Sequence, residues 1–195
     1  MLPTSVMVEE LPTFARVNRS LPPGDHPFLE VLPGVTASPA LHRVAAAPAI
    51  RAALLARAVV QIRGRRGYAF VDVETPCIVI SESYYRTGEE LDLYLDLLHE
   101  LTHLRQLAEG LDLWDERFDY VDRPSEIEGY AVAIEEGRRL GLTDEEVVQH
   151  LSNPWMDAGD VERLLGHVDG FLTTGVLPNL ELALQPAPRR IHRPW

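Results

Sequence analysis

The sequence predicts an α+β fold: a small β-sheet packed against one long helix, with additional C-terminal helices. Three observations carry this expectation. Two short β-type runs, Tyr68–Val73 and Cys77–Ser81, flank the break Glu74-Thr75-Pro76 and have the β-branched and aromatic content of strands. A helical stretch of about 22 residues, roughly 33 Å, follows and ends at Gly110. The rest of the chain repeatedly shows capping residues ahead of apolar runs.

The chain has 195 residues and is 46% hydrophobic and 25% charged, which is enough for a real core and suits a single domain over 1–195. Residues 1–40 hold seven prolines and read as extended chain with one short strand near Phe28–Leu32. From Ser38 to Gln61 the pattern is Ala/Leu-rich and helical, and Pro48 marks the first turn of a helix over Ala49–Ile62. Arg63–Gly67 reads as a solvated turn, and the two strands follow. Thr87-Gly-Glu-Glu90 has the form of a capping box opening the long helix, whose leucines and Tyr94 cover more than one face and make it central and buried. Ser125-Glu-Ile-Glu128 opens a helix to Leu140, Thr143-Asp-Glu-Glu146 opens one through Leu151, and a last helix covers Asp160–Leu172. The Pro- and Arg-rich tail 185–195 cannot be regular helix.

Composition removes several function classes. All 18 basic residues are Arg, so neither a P-loop lysine nor a Schiff base is possible. The net charge of -12 argues against nucleic acid as a partner. Residues 71–182 carry 7 Arg against 26 acids, while both ends are basic, a pattern suiting either ends that fold back or plain solvated surface. One cysteine, Cys77, excludes an intramolecular disulfide and reads as a small buried hydrophobe. The most apolar stretch, Val44–Ile62, is broken by Pro48, Arg51 and Arg57, so no membrane span is expected. Met1–Arg19 lacks a positive stretch followed by an apolar run, and the expected setting is cytoplasmic.

Chemistry concentrates at His99-Glu100-Leu101-Thr102-His103 on the long helix. Four residues advance a helix by 400°, so the two histidines lie about 40° apart and roughly 6 Å along the axis, able to close on one metal ion. Glu100 starts about 100° round from His99, placed to address a water on that ion. Chance gives this pattern in roughly 2% of chains of such composition. The plain alternative, two histidines making ordinary hydrogen bonds, must bear the cost of burying three polar side chains among leucines.

A hydrolytic zinc site needs three protein ligands. The next helix offers Glu126 and Glu128. A Ser125 cap would give Glu128 a structural task at the third helical position and leave Glu126 free, which favours Glu126. Glu128, His150, His167 or an Asp remain open as alternatives.

His99–His103 followed by a glutamate on the next helix resembles the zincin metallopeptidases, in their gluzincin-like form. The spacing of Glu126 three residues ahead of Gly129 is similar to the third-ligand glutamate of several such families. The resemblance covers residues 68–140. It implies Zn2+ on His99, His103 and Glu126, Glu100 as general base, a peptide or protein substrate, and Cys77–Ser81 as a sheet edge that pairs with it. The chain departs from the metzincin pattern, having Gln106 and Glu109 where that pattern has Gly and His, and carries Tyr130 where several glutamate families have Asp. The implied function is zinc-dependent peptide hydrolysis, with Tyr130, His150, His167 or Arg105 steadying the oxyanion.

Two other readings compete. Glu100-x-x-His103 is also a di-iron signature, but that site needs a second Glu-x-x-His, which the chain lacks. A zinc-binding interaction module with little hydrolysis is the alternative: the segment before the long helix leaves little room for a deep cleft, and the basic tail suits covering an acidic site, although His192 on it reads first as part of a loose surface tail. Trp114 and Trp155 are expected to anchor loops to the core.

Overall fold

The structure is a computed structural model that describes residues 11–64 and 67–185. In chain order the elements are β1 (Gly24–Pro27), α1 (Phe28–Val31), α2 (Leu41–Val44), α3 (Pro48–Arg57), β2 (Val59–Arg63), β3 (Ala69–Asp72), β4 (Cys77–Ser81), α4 (Glu82–Thr87), α5 (Glu90–Ala108), α6 (Pro124–Arg139), α7 (Asp144–Leu151), α8 (Ala158–Thr174) and α9 (Leu180–Ala183). The fold is α+β, as the sequence predicts. No helix among the described residues is long and apolar enough to cross a membrane.

The strands form one mixed sheet in the order β1-β2-β4-β3, with β2 and β4 parallel and both outer pairs antiparallel. All five residues of β4 are buried, which suits a strand paired on both sides. The expected sheet edge at Cys77–Ser81 is therefore interior, and β3 forms that edge instead. Two of the four strands, β1 and β2, lie in segments where the sequence reading and the structure differ. The helix expected over Ala49–Ile62 stops at Arg57, because Val59, Val60 and Ile62 are β-branched and form a strand paired with β1 on one side and β4 on the other. The strand expected near Phe28–Leu32 lies earlier, at Gly24–Pro27; Phe28, Val31 and Leu32 have helical spacing and all point into the core.

Helix α5 runs through the centre, with Leu93, Leu97, Leu98 and Leu101 fully buried. One core cluster joins these to the sheet (Val60, Ile62, Ile78, Ile80) and the N-terminal segment; a second joins α6 to α7 and α8 through Ile127, Ile134, Val147, Leu164 and Val168. Helix α6 has one side in each cluster, which makes it a wall packed on α5. Gly137 permits that approach, since a Cβ there would lie 3.1 Å from Leu95 of α5. The basic N-terminal segment does fold back: Arg16 pairs with Glu90, and Arg19 donates to the Tyr85 and Gly88 carbonyls.

Two expected caps are absent. Thr87 ends α4, donating to the Ser83 carbonyl, and α5 starts after Glu89 without a side-chain cap. Glu90 is occupied by Arg16 and the Val17 amide. Ser125 lies inside α6, whose start is set by Pro124. The Thr143–Glu146 box is present, and Asp157–Asp160 forms another that opens α8 earlier than expected. Arg65 and Arg66 of the expected turn, and residues 186–195 with His192, lie outside the described residues.

Candidate metal centre

Near the C-terminal end of α5, His99, Glu100 and His103 face the start of α6. His99, His103 and Glu126 are all buried, and one potential ligand atom from each lies within 4.8 Å of the others. His99 Nε2 and His103 Nε2 stand 3.4 and 3.6 Å from Glu126 Oε2. Ligands bound at about 2.0–2.1 Å to one tetrahedral ion stand roughly 3.3 Å apart, so both separations suit a shared ion. The two Nε2 atoms are 2.8 Å apart, and an ion between them needs the rings to part by about half an ångström. Two imidazoles and one carboxylate are a donor set for zinc with a position left for water.

The surroundings hold these side chains in place. His103 Nδ1 pairs with Gln106 Oε1 at 2.8 Å, and Gln106 Nε2 donates to the Ser125 carbonyl and to Glu128 Oε2. Arg105 also donates to Glu128, at 2.5 Å. Glu128 is thus tied into the support of His103, while Glu126 joins His99 and His103 in the cluster that could hold a metal, and no Ser125 cap takes part. Gly129 lies against His99, where an added Cβ would be 3.0 Å from the ring. Tyr130 meets His99 edge-on at 4.4 Å, and its hydroxyl bonds the Tyr120 hydroxyl and accepts from Asn153.

Electrostatics set the proton inventory. Burial lowers His99, and the neighbouring His103 lowers it further, leaving a neutral imidazole. Burial also pulls His103 down, but the Glu126 carboxylate reverses this and holds it up at about 9. Burial pushes Glu126 upward, yet His103 and His99 bring it below the usual carboxylate range. Burial raises Glu100 to about 8 against the opposing pull of His103. Its Oε2 is buried with no hydrogen-bond partner among the described residues, which is costly unless something at the site supplies one.

The site opens onto a cleft of about 1030 Å³ between β3, α5 and the segment from α7 to Trp155. Its floor includes His99, Glu100, His103 and Glu126. Of the expected oxyanion donors, Tyr130 and His150 line the cleft; Arg105 is committed to Glu109 and Glu128, and His167 to Asp122. Trp114 and Trp155 are about half and two-thirds exposed and line the cleft, contrary to the anchoring expected of them. Gln106 was visible in principle, one turn beyond His103 on the same face. Tyr120 opens a short 3-10 helix and Asn153 lies in a loop, and no local pattern marks either.

Compared with known proteins, the chain matches no family model, no curated protein and no solved structure. What the geometry establishes is a buried His-His-Glu cluster that could hold a metal ion.

Two consequences can be measured. Gln106→Leu removes the acceptor that orients His103 and is expected to weaken metal affinity by about 10–100-fold, read by chelator competition. Unchanged affinity would show that His103 needs no such support. The proton on His103 must leave before its nitrogen can bind an ion, so zinc binding at pH 7 should release a proton, an effect fading as pH approaches 9. Calorimetric titrations in buffers of different ionisation heat test this, and heats independent of buffer would contradict it.

Proposed function

We propose that the chain is a zinc-dependent metallopeptidase of zincin type that hydrolyses peptide bonds. The observation that carries this reading is the buried, partnerless Glu100 carboxylate oxygen beside the His99, His103 and Glu126 ligand set, at the floor of an open cleft. The residues fit zinc, which would lower the pKa of a water towards about 7 and polarise the scissile carbonyl. Burial holds Glu100 at about 8, and the charge of an ion on His99, His103 and Glu126 would favour its carboxylate, the form that takes the water's proton and passes it to the departing amine. Tyr120 and Tyr130 stand beside Glu126 as O–H donors: burial raises both hydroxyls well above their ordinary range, and the Glu126 charge adds to it. They keep their protons and can donate to the developing oxyanion. The exposed edge of β3, with Tyr68 and Phe70 on the cleft, offers an extended peptide a strand to pair with. The cleft gives an extended substrate room beside the cluster, which supports the peptidase reading over the interaction module. The test is cleavage of a mixed peptide pool by zinc-loaded protein, read by mass spectrometry. New peptide termini that vanish on chelation and return with zinc are expected; an intact pool would overturn the reading.

A further inference from the structure

The turn between α7 and α8 reaches into the metal site. The Asn153 carbonyl accepts from the Met156 amide at 3.0 Å, and Pro154 takes the second position of that turn, where its fixed φ belongs. Leu151 is fully buried ahead of the turn and Asp157 caps α8 behind it, so both ends are held. Two side chains of the turn grip the tyrosines beside the ligand cluster. Asn153 Nδ2 donates to the Tyr130 hydroxyl at 2.9 Å and also reaches Met156 Sδ at 3.8 Å. Trp155 packs edge-on against Tyr120 at 6.0 Å. Asn153, Trp155, Tyr120 and Tyr130 all line the cleft, and the Tyr130 ring lies edge-on to His99.

The two hydroxyls are not equivalent. A phenol has one hydrogen to give and two lone pairs to fill. The Tyr120 and Tyr130 oxygens are 2.9 Å apart, and the Asn153 amide nitrogen, which can only donate, fills one lone pair of Tyr130. The Tyr120 hydrogen has the Glu126 carboxylate beside it, a charged acceptor that competes with any other. The Tyr130 hydrogen meets only the neutral Tyr120 oxygen among the described residues, an acceptor that a developing negative charge displaces. We propose that Asn153 is a positioning residue: it holds the Tyr130 hydroxyl by its oxygen, so that the Tyr130 hydrogen, ahead of that of Tyr120, turns to the developing oxyanion. The role in turnover rests on the peptidase reading; the directed hydrogen bond belongs to the fold. Because Asn153 acts through Tyr130, its contribution requires the Tyr130 hydroxyl to be present.

The test is a double-mutant cycle on the full zinc-loaded chain with two readouts. The variants are Tyr130→Phe, Asn153→Ala, Asn153→Asp and the double variant Tyr130→Phe/Asn153→Ala. The first readout is affinity for a phosphinic dipeptide, whose charged oxygens imitate the oxyanion without turnover. Tyr130→Phe is expected to weaken it by about 10²-fold. Asn153→Ala is expected to cost about tenfold alone and nothing further once the hydroxyl is gone. Asn153→Asp keeps the side chain's shape but puts an acceptor where the donor stood, drawing the Tyr130 hydrogen away from the cleft; it should cost at least as much as Asn153→Ala. The second readout is steady-state cleavage of a fixed peptide, where the same pattern is expected in kcat with KM within about twofold of wild type. Additive losses in the double variant, wild-type affinity in Asn153→Asp, or no binding of the phosphinic dipeptide by wild type overturns the proposal. If the binding pattern holds but no peptide is cut, the positioning role stands and the peptidase reading falls. Peptide cleavage with kcat untouched by both Asn153 variants keeps the peptidase reading and overturns the positioning role.

Discussion

Glu100→Gln is expected to lower peptide hydrolysis by a factor of about 10²–10⁴ while the protein keeps its metal. The amide has the shape of the carboxylate but cannot take a proton from water. Glu100 is not in the ligand cluster, so the ion has no reason to leave. Stability points the same way: Oε2 of Glu100 is buried without a hydrogen-bond partner, so replacing that oxygen breaks no hydrogen bond. The thermal midpoint of the metal-free protein should not fall. Activity on a fixed peptide and elemental analysis of the same preparation check the claim together. A variant that still turns over within a few-fold of wild type would remove Glu100 from the chemistry.

The second large effect separates two glutamates only two residues apart. Glu126→Ala deletes one of the three candidate ligands and should weaken zinc binding by far more than the roughly 10–100-fold that outer partners contribute. It also removes the carboxylate that holds His103 up, so the His103 pKa should drop once Glu126 is gone. Glu128→Ala instead loosens Gln106 and Arg105 and should act only as an outer partner does, by about tenfold. Chelator competition on both variants ranks them. The reverse order would make Glu128 the ligand.

The helix-borne half of this site was legible in the sequence. His99, Glu100 and His103 need only helical spacing to meet, and α5 is long and leucine-rich enough to be recognised. Glu126 was favoured for a wrong local reason: Ser125 is not a cap, and Glu128 is occupied by Arg105 and Gln106 across the helix interface, which no local pattern encodes. The sheet was half legible for a related reason. β3 and β4 adjoin in sequence, whereas β2 pairs with β4 in parallel and β1 folds back on β2, and these long-range contacts override the Ala-rich helical pattern leading into Val59. The wall of the cleft was the least legible part. Asp96 and His150 meet only because α7 folds over α5, and Trp155 reaches the cleft from a loop.

The most direct test is metal content. The wild-type chain, equilibrated with buffered zinc and freed of excess, is analysed for elements beside a His99→Ala/His103→Ala variant. Near one zinc per wild-type chain, lost in the variant, is the expected result. Wild type no richer in metal than the variant would contradict a zinc centre at His99, His103 and Glu126, leaving two buried histidines paired with a glutamate.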